Sequence, residues 1–135
     1  MSQHPTEEDV REFHVAFNIP IQRQRPALPM DERRAMRRRI LGEEFEEYLK
    51  AEQEDDLVEI ADALADIVYV AFGTALEYGI PLSRVLEEVH RSNMSKLGPD
   101  GRPIHRADGK VIKGPNFREP DVAGILRQGK AEDGG

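Results

Sequence analysis

The chain has no cysteine and no tryptophan, and aromatic residues make up only 6% of its 135 positions. Without cysteine there can be no disulfide, no thiolate metal site and no Cys nucleophile, a pattern that fits a reducing, cytoplasmic setting. No apolar run approaches the roughly 20 residues of a membrane span. The opening MSQHPTEEDV has no apolar stretch of the kind a secretory signal needs. A basic excess is also missing: the net charge of -7 disfavours a role in coating nucleic acid. Hydrophobic residues are 39% of the chain, a lean supply that favours covering surplus apolar surface by self-association. Charged residues are 33%, which points to a strongly solvated helical protein rather than a β-sandwich.

Prolines and glycines punctuate the chain. Residues 7–17 read as a short amphipathic helix, and residues 18–29, with Pro20, Pro26 and Pro29, as a loop. A long helix is expected from Asp31, an N-cap candidate, to about Gln53. A second runs from about Asp56 to Tyr78, ended by Gly79 and Pro81, and a third from about Ser83 to Lys96. Residues 98–120 are turn-rich, with Asp108-Gly109 suggesting a small hairpin, before a short helix at about 120–128 and a frayed tail. The expected fold is therefore all-α: a single domain over 1–135 with a bundle core at about 31–97 and a basic segment at 98–128.

Acidic side chains fall where apolar ones are expected. On the first long helix Met36 and Ile40 define an apolar stripe. Glu43 and Glu47 continue it within about 20°, and Glu44 lies on its flank. Four acids within residues 43–47 repel one another and are a poor way to stabilise a helix. On the second, Asp66 is the only charged residue between Ala63 and Leu76, and the apolar surroundings predict a central helix. An unpaired carboxylate there costs several kcal/mol unless a cation, a proton or a polar cavity compensates. Glu59 and Asp62 share its stripe. Carboxylates from two helices make an oxygen cage suited to Mg²⁺, which takes few protein ligands plus substrate phosphates. Zinc and di-iron sites fit less well, because the four histidines form neither HxxxH nor paired ExxH spacing. On the third helix Asn93 and Lys96 continue the Val85–Leu86–Val89 face, where Lys96 could hold a phosphate and Asn93 a phosphate, sugar or base oxygen.

Three elements in this order, Glu43-Glu44-x-x-Glu47, the helix 62–80 that turns from acidic to apolar, and EVHRSNMSK at 88–96 followed by 106–117, resemble the MazG-like and dimeric dUTPase branch of the all-α NTP pyrophosphatase superfamily, over about residues 31–125. Phosphoribosyl-ATP pyrophosphatases belong to the same superfamily. The resemblance implies a bundle completed by homodimerisation or homotetramerisation. It also implies Mg²⁺-dependent hydrolysis (Mn²⁺ as a substitute) of a nucleoside triphosphate to monophosphate and pyrophosphate, as in nucleotide-pool house-cleaning with a dUTP-like preference. Glu44, Glu47, Asp62 and Asp66 would hold the metal, and Glu43 or Glu44 would position or deprotonate water. Asn93, Lys96, Arg106, Lys110 and Lys113 would meet the substrate, with Lys110 at the hairpin tip. The family's second metal element is ExxD. With Asp66 as its Asp, the Glu position holds Ala63 and Asp62 substitutes; alternatively Glu59-x-x-Asp62 is the element, one turn earlier. The departure at Ala63 leaves a second function open, a catalytically degenerate nucleotide-binding regulator or adaptor.

Overall fold

A computed structural model describes residues 5–128. The expected frayed tail at 129–135 lies outside the described residues. The described chain is mostly helical, as expected, and falls into two compact units that meet in sequence between Leu82 and Ser83. None of its helices is long and apolar enough to cross a membrane.

The first unit holds α1 (Pro5–Ala16), α2 (Asp31–Gln53) and α3 (Leu57–Tyr78). Asp31 does not cap α2. The N-cap is Met30, whose side chain makes no capping bond, while Asp31 and Glu32 place negative charge in the first turn, where the helix dipole favours it. Asp56 does cap α3, accepting from the Glu59 N–H at 3.1 Å. Gly79 ends α3 in the left-handed region at φ 71°, and a side chain there would also strike Gln22. The proline-rich loop has a structural task at this end. Its Gln22 and Ala27 N–H groups donate to the Leu76 and Tyr78 carbonyls at 2.9 Å, satisfying acceptors a helix end otherwise leaves open.

Both α1 and α2 pack on α3. The α1 contact is apolar: Val10, Phe72 and Leu76 form the buried cluster, joined by Ile21 and Leu82. The α2 contact is built on charge. Glu77, 4% exposed, receives Arg33 in a two-pronged pair (Nε to Oε1 2.9 Å, Nη2 to Oε2 2.8 Å) and Arg37 Nη1 at 3.1 Å. Arg37 spends its other donors on Thr74 Oγ1 and the Val70 carbonyl, both at 3.0 Å. Buried His14 joins from α1, with Nδ1 3.2 Å from the Pro20 carbonyl. A carbonyl only accepts, so Nδ1 carries the proton and Nε2 is left as an acceptor. Burial, aided by Arg37, holds the His14 pKa below its ordinary value and so favours this neutral form. Gly73 makes the arrangement possible: a Cβ there would lie 2.6 Å from Arg37 Nη2 and 2.8 Å from His14 Nε2.

The second unit runs from α4 (Leu82–Met94) through the antiparallel pair β1 (Ile104–His105) and β2 (Val111–Ile112) to α5 (Val122–Arg127). The hairpin expected around Asp108-Gly109 is present, with Gly109 at φ 88°. Its turn is closed by Arg106 N–H to the Lys110 carbonyl, so Lys110 sits at the foot of the turn rather than its tip. Glu88 ties the unit together, accepting from Arg91 at 2.6 Å and from the Asp121 N–H at 2.7 Å. These two partners, Arg91 foremost, hold its carboxyl down at about 2.

The apolar cluster is small, and each such side chain stabilises by about 1.5–3 kcal/mol. With so small a core, breaking the ion network is expected to cost as much as losing one or two of these side chains. Removing the charge of Glu77 strands two guanidinium groups, one of them buried. Glu77→Gln is expected to lower unfolding free energy by about 3–5 kcal/mol in urea denaturation; a loss under about 1 kcal/mol would show that the network is not needed to hold α2 on α3.

Candidate active site

The register that the Glu77 network imposes determines what lies further along the two helices. Their pairings run antiparallel: Arg33 meets Glu77, and Arg37 meets Thr74 and Val70. Moving from 33 to 44 along α2, and from 77 back to 66 along α3, covers about three turns on each helix. That step brings Glu44 opposite Asp66. The two carboxylates do interact: burial, then the Asp66 charge, then Glu47, the Asp66 hydrogen bond and Asp62 all push the Glu44 pKa up. Glu44 Oε2 is buried with no hydrogen-bond partner.

This corrects the expected geometry of α2. Its inward stripe is centred on buried Arg37, with Ile40, Glu44, Tyr48 and Ala51 following, rather than on Met36. Glu44 is thus the inward, half-buried acid, whereas Glu43 and Glu47 are exposed. The error arose because α2 buries an arginine, which an apolar-stripe argument assigns to solvent. α3 is central to the first unit, as expected, with α1 and α2 both packed on it, but it is not covered all round. Only the face bearing Ala63, Phe72, Gly73, Ala75, Leu76 and Glu77 is buried, so Asp66 is half-buried, and Asp62 and Glu59 are exposed. Ala63, at 3% exposure, lies opposite Glu47 in the same register.

Among the described residues no three His, Asp or Glu side chains converge tightly enough to form a ready metal cage. The donor set nonetheless suits a hard cation: every acid near Glu44 offers carboxylate oxygen, and the unpartnered Oε2 is an acceptor without a donor. No lysine or arginine among the described residues pairs with Asp66, since Arg33 and Arg37 are committed to Glu77.

The substrate-binding candidates all lie in the second unit. Asn93 is exposed, not on an inner face; Leu86 is exposed too, and buried Ser92 takes the inward position, donating to the Arg118 carbonyl at 2.8 Å. Lys96 is half-buried, and its carbonyl receives the Gly114 N–H at 2.8 Å. Arg106 pairs with Asp108 at 2.7 Å, and Lys113 stands over the Phe117 ring at 4.6 Å and 3.8 Å from Glu119. Lys110 is exposed. The residues that sequence reasoning missed are His14, Arg33, Arg37 and Glu77. The available signal was Glu77 itself, a lone acid on the same stripe of α3 as Asp66, three turns away.

Residues 10–93 match the family described as phosphoribosyl-ATP pyrophosphohydrolase. The chain belongs to this family. Among solved structures that resemble it is a candidate NTP pyrophosphohydrolase from Exiguobacterium sp. 255-15, 28% identical, with a TM-score of 0.52 over 94% of this chain and 96% of that one. No curated protein matches. Family and structure together place the chain among the all-α NTP pyrophosphatase-like proteins and support a function of the pyrophosphohydrolase type.

Since Asp66 has a like-charged neighbour and no base to strand, Asp66→Asn is expected to leave the metal-free protein as stable as before or more so. Urea unfolding in a chelator checks this. A loss of about 3–5 kcal/mol, the cost of breaking a buried pair, would mean that Asp66 supports the fold instead.

Proposed function

We propose that the chain is a Mg²⁺-dependent nucleoside triphosphate pyrophosphohydrolase of the MazG-like, dimeric-dUTPase kind, which converts an NTP or dNTP to monophosphate and pyrophosphate. A house-cleaning role with dUTP-like preference is the finer form of the reading. The observation that carries it is the buried, unpartnered Glu44 oxygen set against Asp66, with Glu47 and Asp62 near enough to raise its pKa. A fold has no reason to gather these acids, whereas a cation and a triphosphate do.

Glu44, Glu47, Asp62 and Asp66 would hold Mg²⁺, or Mn²⁺ in its place. The ion would neutralise phosphate charge and make water easier to ionise. The residues of this chain supply position and proton transfer. Glu44, half-buried and facing Asp66, is better placed to take a proton from the attacking water than exposed Glu43. Water oxygen bonds to the α-phosphorus, the α–β bridging bond breaks, and pyrophosphate leaves with its electron pair. Ala63 is buried and lies one turn before half-buried Asp66, which supports the register in which positions 63 and 66 form the second element.

Self-association is part of the proposal. Leu57, Leu64 and Val68 recur at helical spacing on α3, at 77%, 49% and 48% exposure, a stripe that a second copy would cover in a homodimer or homotetramer. A second reading has its own observation: Ala63 stands where the family has Glu, and among the described residues no three acids stand close enough to hold a metal ready-made, as a non-hydrolysing nucleotide-binding regulator would allow.

Pyrophosphate release across a panel of NTPs and dNTPs with Mg²⁺ separates the two. The enzyme reading expects release by the wild type, sedimenting as a dimer or larger, and none by Asp66→Asn. Ala63→Glu should preserve or strengthen metal binding. No release from any nucleotide favours the regulator. Full activity in Asp66→Asn with loss in Glu59→Gln would move the site one turn earlier.

A further inference from the structure

A cavity of about 270 Å³ opens between α1 and α2, over α3. Its walls include Phe13, Ile19, Met36, Ile40, Tyr69 and Val70. Drug-sized sites occupy roughly 300–1,000 Å³, so this one has room for a single ring system rather than a whole nucleotide. Arg33 and Arg37 also border it, but their donors are spent on Glu77, Thr74 and the Val70 carbonyl. They leave no guanidinium face prepared for a phosphate, and the occupant that suits the walls is flat and uncharged. Phe13 and Tyr69 stand edge to face, ring centroids 5.7 Å apart, and offer aromatic surface to such a ring. Polar handles are few. Asn18 borders the cavity, and His14, with Nδ1–H directed to Pro20, contributes a neutral imidazole.

The position of the cavity supplies the tether. Ile40 precedes Glu44 by one turn of α2, and Val70 follows Asp66 by one turn of α3, about 6 Å along each axis. The cavity therefore adjoins the acid pair, within the reach of the ribose that joins a base to its α-phosphate. We propose that this cavity receives the planar base of the nucleotide whose phosphates go to the Glu44–Asp66 pair, with Tyr69 and Phe13 as the residues that set base choice. The assignment rests on the pyrophosphohydrolase reading and names the substrate subsite within it.

Two experiments on the full chain test it. In the first, methyl NMR follows nucleoside 5′-monophosphates added without divalent metal, with ribose 5-phosphate as the probe lacking a base. The nucleotides should shift the Val10, Ile40 and Val70 methyls, and ribose 5-phosphate should not. In the second, Tyr69→Leu should raise the nucleotide KM about 10-fold or more, as expected for a lost stacking partner, with little change in kcat. Its KM for ribose 5-triphosphate should stay unchanged. Ile40→Phe, which fills the cavity, should act in the same direction, and circular dichroism establishes that each variant folds. The assignment is overturned if the cavity methyls stay still while the protein releases pyrophosphate. It is also overturned if Tyr69→Leu weakens both triphosphates equally. If the methyls respond to nucleotides but the wild type releases no pyrophosphate, the subsite stands and the hydrolytic reading falls.

Discussion

Glu77 is the fixed point of the first unit. It sits buried among two guanidinium groups, and those arginines come from one face of α2. A hydrophobic contact between two helices can slide by a turn at modest cost, but this one cannot, because any other register strands a charge. A buried ion network adds little net stability compared with apolar residues of the same shape. Its effect here is to specify register. Gly73 is the steric counterpart: with no Cβ it admits both Arg37 and His14 against the α3 backbone.

Everything proposed for the site follows from that register. Three turns beyond the Arg33–Glu77 pair the same faces bring two acids together in place of an acid and a base. One end of the helix pair satisfies its charges internally, and the other leaves a like-charged pair with an unpartnered oxygen. The cavity that borders Ile40 and Val70 lies between the two ends. The helix pair thus grades from a closed ion network, through an apolar hollow, to an acidic site. That order matches the chemistry of a nucleotide only if its base points toward the network and its phosphates away from it.

Much of this was legible in the sequence. Helix positions, the proline loop, the Gly79 stop and the Asp108-Gly109 turn follow from local rules, and the all-α class follows from them. The pairing of clustered acids on α2 with Asp66 was also readable, because a lone carboxylate in an apolar helix demands explanation. What local rules could not supply was the face of α2. Arg37 is buried, and a stripe drawn through Met36 and Ile40 rotated the helix enough to put Glu43 inward in place of Glu44. The same blindness hid Glu77. Its partners lie 40 and 44 residues away in the chain, and no periodicity reports a contact of that kind. The exposed stripe of α3 was misread for the related reason that apolarity marks a face as fit for burial without saying that this chain buries it.

The central claim is that the Glu44–Asp66 pair is a cation site, uncomfortable when empty of charge compensation and stabilised when a cation arrives. The most direct measurement is thermal melting of the chelated protein titrated with Mg²⁺ and Mn²⁺. The account predicts a Tm that climbs with either ion in the wild type, because binding favours the folded state. It also predicts that a Glu44→Gln, Asp66→Asn double variant melts at or above the metal-free wild type and ignores the ions. A wild-type Tm unmoved by millimolar Mg²⁺ and Mn²⁺, with and without nucleotide, would contradict it.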